Sequence, residues 1–377
     1  MRAGLSRTWE WLTLPAPARR LRRADARGLP ERDPCAEAAV NAMLAWLGRA
    51  QDRSASGEGG FAGHFDLIRG WSLSCPGSTG LAARAMLRAD ARWGDHSLRQ
   101  RATWGLEWLC GAQHADGGFG EAGGAQSSPF ATGQALLGLL AGHGVVKAAG
   151  DAAARAAGYL LAVQHGDGSW AAGRAQDTQI AWSLLEADQQ VPHRGLADAA
   201  QANLRWALSQ QRGNGWLANC CTDDATKPLT VTIGTAVRGF LEAYRIGHVL
   251  RHLDAAVMAG WALLAVQRRG DGSLPGRLTE KWEPAARWSG LSGDAQAAAC
   301  WLLLFEATKD EAFLSAAKAA NRFIRRTLPV TADADQAGGV RGSFPVDGGY
   351  GRFRYVTQAA VHAIDSNMME LALGDTA

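Results

Sequence analysis

The sequence predicts an all-α protein in which six helical hairpins close into an (α/α)6 toroid. Two observations carry that expectation: a short Gly-rich motif recurs along the chain at roughly 50-residue spacing, and Ala-, Leu- and Trp-rich runs fill the intervals between its copies. A third supports it: alternating β-branched runs are almost absent, so strands are expected only as short loop ribbons.

The motif reads Gln113-His114-Ala115-Asp116-Gly117-Gly118-Phe119 and recurs as Gln164-His165-Gly166-Asp167-Gly168-Ser169-Trp170. Further copies are Gln211-Arg212-Gly213-Asn214-Gly215-Trp216 and, with one extra residue, Gln267-Arg268-Arg269-Gly270-Asp271-Gly272-Ser273-Leu274. A looser first copy runs from Gln51 to Gly59-Gly60-Phe61, and a degenerate last copy is placed at Gly342-Ser343-Phe344. Repeats of this period signal stacked supersecondary units. In each unit the Asp/Asn-Gly pair stops one helix, because Gly and Asn tolerate a left-handed conformation. A second, more apolar helix follows. Apolar nearly all round, these second helices are assigned to an inner ring and the more charged first helices to an outer one. Six units without polar end caps favour closure over an open solenoid.

Composition sets the bounds. The 377 residues are 47% hydrophobic and 20% charged, enough for one large core. Residues 35–377 are assigned to the toroid and residues 1–34 to a basic N-terminal arm carrying Arg19, Arg20, Arg22, Arg23 and Arg27. A net charge of +3, with no basic run interleaved with aromatics, argues against a nucleic-acid partner. No apolar run reaches the length of a membrane span or a signal peptide, so stable membrane insertion is not expected. The six cysteines are scattered, which reads as a reduced, cytoplasmic protein without a disulfide framework.

The repeats resemble those of the terpene cyclase and protein prenyltransferase superfamily, the squalene cyclase-type repeat, over about residues 35–370. Gly70-Trp71-Ser72-Leu73-Ser74-Cys75-Pro76, Gly290-Leu291-Ser292-Gly293-Asp294-Ala295-Gln296 and Gly342-Ser343-Phe344-Pro345-Val346-Asp347-Gly348-Gly349-Tyr350 look more narrowly like bacterial toroid proteins associated with polysaccharide biosynthesis. The chain departs from that group at Gly77, whose position there is usually acidic. It also lacks the superfamily's chemistry. Squalene-type cyclases use an Asp-x-Asp-Asp acid, and the nearest string is Asp333-Ala334-Asp335-Gln336. Prenyltransferases hold zinc with Asp, Cys and His. Cys220 and Cys221 adjoin Asp223 and Asp224, but adjacent cysteines seldom chelate one tetrahedral ion, so neither metal nor cofactor is expected.

In a closed ring the inner-helix N-termini share one end, where the Gly-rich loops also converge, and the pocket is expected there. Thr79, Thr132, Asp177, Thr230 or Thr232, Asp294 and Thr357 lie at those positions. Thr and Asp are preferred N-caps, which is their ordinary use. Asp occurs only in the third and fifth units, and Asp177 and Asp294 are therefore the expected catalytic acid/base pair. Their non-adjacent hairpins imply the wide separation of an inverting pair, about 6.5–9.5 Å, over the 5–5.5 Å of a retaining one. Gln134, Gln179, Gln296 and Gln358 lie just behind and favour hydroxyl recognition. Trp71, Trp282, Trp288 and Tyr350 fall outside the repeat position and are candidates to stack on a substrate. Arg287 and Arg352 are among the basic residues that could meet an anion, and His64 with Asp66 could move a proton or hydrogen-bond a loop.

These residues point first to a carbohydrate-active enzyme: a hydrolase, lyase or epimerase acting on an anionic poly- or oligosaccharide, in exopolysaccharide metabolism. An isoprenoid-handling protein and a non-catalytic glycan-binding scaffold are the alternatives.

Overall fold

The computed structural model of the chain describes residues 14–191, 194–329 and 333–374; residues 1–13 of the expected arm lie outside them. Helix α1 (Ala16–Asp25) falls within the span of the expected arm. Twelve helices then form two concentric rings. The outer ring consists of α2 (Ala36–Asp52), α4 (His96–Gly111), α6 (Ala149–Ala162), α8 (Leu196–Ser209), α10 (Leu250–Val266) and α12 (Glu311–Thr327). The inner ring consists of α3 (Pro76–Trp93), α5 (Pro129–Ala141), α7 (Thr178–Asp188), α9 (Thr230–Gly247), α11 (Leu291–Thr308) and α13 (Thr357–Gly374). Each inner helix packs on the next, and α13 returns to pack on both α2 and α3. The ring is closed, as expected.

The repeat explains how the units lock together. In each of five copies the motif glutamine donates twice, to its own loop and to the next outer helix. Gln113 reaches the Gly117 and Ala152 carbonyls at 2.8 and 2.9 Å, and Gln164 reaches those of Gly168 and Ala199 at 3.0 and 2.9 Å. Gln51, Gln211 and Gln267 repeat the pattern. The motif glycine takes a left-handed φ and runs hard against the next outer helix: a Cβ on Gly117 would stand 2.5 Å from the Arg155 carbonyl oxygen.

The sixth copy is corrected by the same signature. Gly338 has φ +75°, and a Cβ there would meet the Ala42 carbonyl oxygen of α2 at 2.1 Å. Gly338-Gly339-Val340 therefore occupies the repeat position, and Gly342-Ser343-Phe344 lies beyond it. Here the glutamine's task passes to the first unit: Trp46 donates its indole N–H to the Asp335 carbonyl at 2.8 Å, and Arg49 donates to the Ala337 carbonyl. A small sheet reinforces the seam, with β1 (His64–Asp66) between β2 (Gly70–Trp71) and Arg354–Val356 of the last unit. A second ribbon pairs Ser289–Gly290 with Ser343–Phe344.

Inner helices approach closely where glycines face each other. A Cβ on Gly138 would lie 2.3 Å from the Gly80 Cα, that is, against backbone. Gly138→Ala is accordingly expected to cost roughly 1–3 kcal/mol, the range for overpacking, whereas Gly166→Ala, which meets nothing within 4 Å, should change stability by less than about 1 kcal/mol. Urea titrations of the two variants check the contrast.

Candidate functional site in the lumen of the ring

The inner helices place a small cavity of about 50 Å³ on the ring axis, lined by Arg84, Arg88, Gln179, Trp182, Arg238, Gln296, His362 and Asp365 with Leu81, Ala85 and Val361. Its lining comes from the first turn of α7, at Gln179, and from further along α3, α9, α11 and α13. Arg84, Arg88, Arg238 and Asp365 of the inner helices point here, whereas Asp90 on α3 turns outward to Arg99 of α4.

Those charges form one network. Arg84 grips Glu186 with both terminal nitrogens, at 3.1 and 3.0 Å. Arg238 donates to Glu242 at 2.7 Å and to Asp365 at 3.1 Å, and Arg88 also pairs with Asp365. Arg245 donates to Glu242 at 2.6 Å. Trp182 donates its indole N–H to Glu186 at 2.7 Å, and the guanidiniums of Arg84 and Arg238 lie over its ring at 4.9 and 5.5 Å. Four arginines thus face three carboxylates, leaving an excess positive charge around an aromatic platform. The network reaches solvent at Arg88 and Arg245, whose side chains are 43% and 54% exposed.

Electrostatics divides the groups. Burial opposes the charge of Asp365, but Arg88, Arg238 and Arg84 outweigh it and hold the carboxyl well below the usual range. Glu242 is lowered likewise: burial works against its charge and Arg238 and Arg245 prevail. His362 goes the other way, pushed down to about 4 by burial, and is neutral at physiological pH; its Nε2 lies 3.3 Å from the Gln296 amide nitrogen. Gln179 is 4% exposed, and its carbonyl oxygen has no partner among the described residues. It is an acceptor left open beside the cavity.

Of the residues expected from sequence, the cavity gathers Gln179 and Gln296. Gln134 instead pairs with Gln358 across α5 and α13 at 2.9 Å, in the space that Gly77 leaves: a Cβ there would meet the Gln134 oxygen at 2.4 Å. Asp177 and Asp294 are not among the lining residues. Asp294 is wholly buried, accepting from the Leu274 N–H at 2.6 Å and from the Ser289 hydroxyl. Thr79 and Thr132 do the same for Phe61 and Phe119, each at 2.9 Å. Asp177 accepts from the Arg174 N–H at 3.3 Å. Burial raises both carboxyls to about 7.

The expected stacking aromatics have local partners. Trp71 packs on Trp46 and Phe65, with ring centroids 5.3 and 5.0 Å away, and donates to Asp335 at 3.0 Å. Trp282 meets Trp216 edge-on at 5.3 Å and donates to the Asn214 carbonyl at 3.0 Å. Trp288 fills the space over Gly276 and Gly349, and the Tyr350 backbone is tied to Ser343. Asp66 accepts from Ile68 N–H at 2.8 Å and from Arg354 at 2.9 Å, so it organises a turn beside His64. Arg287 and Arg352 are exposed on the loops. Among the described residues no group of three or more His, Cys, Asp or Glu is arranged to hold a metal, and no helix is long and apolar enough to cross a membrane.

No family profile matches the chain, and no curated protein does. Solved structures do match in fold. An unsaturated glucuronyl hydrolase specific for heparin superposes with a TM-score of 0.73 at 12% identity, covering 90% of this chain and 98% of that one. The unsaturated glucuronyl hydrolase of Bacillus sp. GL1, responsible for the degradation of glycosaminoglycan, gives 0.70 at 17% over 88% and 96%. Cellobiose 2-epimerase from Bacillus thermoamylovorans gives 0.69 at 12% over 88% and 96%. At these identities the likeness establishes the (α/α)6 toroid.

Proposed function

We propose that the chain is a carbohydrate-active enzyme that takes the acid group of an anionic saccharide into the lumen. The observation that carries this reading is the Arg84–Arg238–Trp182 platform with the open Gln179 acceptor beside it. Guanidiniums match a carboxylate or sulfate, the indole holds two of them in place, and the amide accepts from a hydroxyl. The sugar-active neighbours in fold, two of them named for glucuronyl substrates, agree with it.

The cavity is small beside ligand pockets of about 300–1,000 Å³. Only the charged group enters it; the ring sits outward, where Arg88 and Arg245 swing from their carboxylates toward the ligand. Two-carboxylate hydrolysis needs one carboxyl protonated at working pH. Glu242 and Asp365 are held ionised, so the lumen's proton carrier is His362. An arriving anion raises its pKa toward neutrality. Proton transfer next to a carboxylate, as in an epimerase or lyase, is the chemistry these groups support. Asp177 and Asp294 are read as loop anchors; an exopolysaccharide would present its acid group to the same lumen.

Titration with glucuronate-containing oligosaccharides and with cellobiose tests the reading. The acidic ligands should bind and cellobiose much less. Arg84→Gln should weaken acidic binding roughly ten- to a hundredfold, the loss of a charged hydrogen bond, and His362→Gln should abolish turnover while leaving binding. Equal affinity for cellobiose, or turnover that survives His362→Gln but not Asp177→Asn, would overturn it. Binding of a prenyl diphosphate in the lumen without affinity for glycans would favour the isoprenoid alternative.

A further inference from the structure

A larger charged cavity lies outside the ring. A groove of about 630 Å³ runs between the arm helix α1 and the C-terminal end of α12, within the size range of ligand pockets. Five arginines and two aspartates line it. Two of the arginines are committed. Arg325 is tied to Asp33, Glu370 and Asn367, and Arg341 forms a buried pair with Asp25 and donates to the Thr327 carbonyl at 2.9 Å. Asp25 also accepts from the Val346 N–H at 2.7 Å, and Arg22 reaches Asp347 at 2.7 Å. The arm helix is thereby pinned to the toroid, and the groove it forms is a fixed feature of the fold.

The other three arginines are not matched by carboxylates. Among the described residues Arg20 and Arg32 meet no acid, and Arg326 donates to the Pro30 carbonyl at 2.7 Å and to no carboxylate. The floor adds a stranded donor. Arg341 is 3% exposed, yet its Nε has no hydrogen-bond partner among the described residues. An unmet buried donor is unfavourable unless an acceptor reaches it. Beside these donors the groove is apolar, with Pro17, Leu21, Ala24, Leu328 and Pro329 on its walls.

We propose that this groove is a second ligand site, separate from the lumen, for an anionic amphiphile: a phosphate monoester or similar anion on an aliphatic chain. Arg20, Arg32 and Arg326 hold the head group, the Arg341 Nε–H donates to it, and Leu21 and Leu328 cover the chain. A bare anion satisfies only the arginines and a neutral amphiphile only the walls, so both halves are required for tight binding.

Calorimetric titration of the full chain with octyl phosphate below its micelle concentration, inorganic phosphate and octyl glucoside tests the site. Octyl phosphate should bind saturably, at least tenfold tighter than either comparison ligand. Arg20→Gln and Arg32→Gln should each weaken it roughly two- to fivefold, as for partly exposed charges, while Arg84→Gln in the lumen leaves it unchanged. Both arm residues are exposed, so these variants keep the fold. Cosedimentation with phosphatidylcholine vesicles containing phosphatidylglycerol then separates the sources. Capture that Arg20→Gln and Arg32→Gln reduce assigns the site to a bilayer lipid; octyl phosphate binding without capture assigns it to a free amphiphile. Either supports the site. No saturable binding, equal affinity for inorganic phosphate, or loss with Arg84→Gln alone would overturn it. Failure here leaves the saccharide reading of the lumen untouched, since that reading is tested with different ligands and variants.

Discussion

Arg238→Gln is expected to destabilise the protein by about 3–5 kcal/mol, the cost of breaking a buried ion pair from one side. Arg238 is 7% exposed and Glu242 3%; without the guanidinium, Glu242 keeps only Arg245, and Asp365 keeps Arg88. The double variant Arg238→Met with Glu242→Leu should recover most of the loss, because apolar pairs of similar volume often replace buried charges without penalty. Urea denaturation of the wild type and both variants measures this. Recovery would mean that the ring does not need these charges to fold, and so that they are present for what enters the lumen. A loss below about 1 kcal/mol in the single variant would mean that water reaches the network.

The second large effect concerns pH. Asp177 and Asp294 titrate near 7 in the folded chain, against 3.8 for the ordinary carboxyl. Between about pH 4 and pH 7 the native state therefore holds protons that the unfolded state has released. Each carboxyl then contributes a stability that is full below pH 4, falls as pH rises, and is lost above 7. At about 1.4 kcal/mol per unit, the span is on the order of 4 kcal/mol for each group. Asn does not titrate and can take over the cap or loop bond. Asp177→Asn and Asp294→Asn should thus gain on the wild type by up to that amount as pH rises from 4.5 to 7.5. Denaturant midpoints at three pH values in this window check it. Parallel curves for variant and wild type would show that neither carboxyl is desolvated as described.

The two rings were legible in the sequence because the motif residues do the same physical work in each copy. A glutamine that must reach the next helix and a glycine that must lie against it cannot vary, so five copies stand out. The sixth escaped because its glutamine's task had moved to Trp46 and Arg49, which lie nearly 300 residues away. Asp177 and Asp294 were legible as polar groups at inner-helix starts, and their desolvation was not, since it depends on burial by residues distant in sequence. The lumen was legible in part: Gln179 and Gln296 were among the expected residues, and its charged groups carry a signal of their own. Arg84/Arg88 and Arg238/Glu242 are spaced i,i+4, and His362/Asp365 i,i+3, on helices rich in Ala, Gly and Leu. That spacing puts each pair on one helix face. Trp and Arg are abundant in the loops, and most of the expected site residues were drawn from there.

The seam between the first and last units has a consequence for how the chain is made. Thr357 bonds the Ala62 carbonyl across 295 residues, and Arg341 reaches Asp25 across 316. During synthesis at about 5–20 residues per second, the nascent chain spends tens of seconds as an incomplete crescent. The faces of α2 and α3 that later receive α13 stay uncovered until α13 is made, and that helix hides them. Truncation ahead of α13 therefore removes more than one helix's worth of contacts: it leaves the first hairpin permanently open, an adhesive edge that a second unfinished chain could fill.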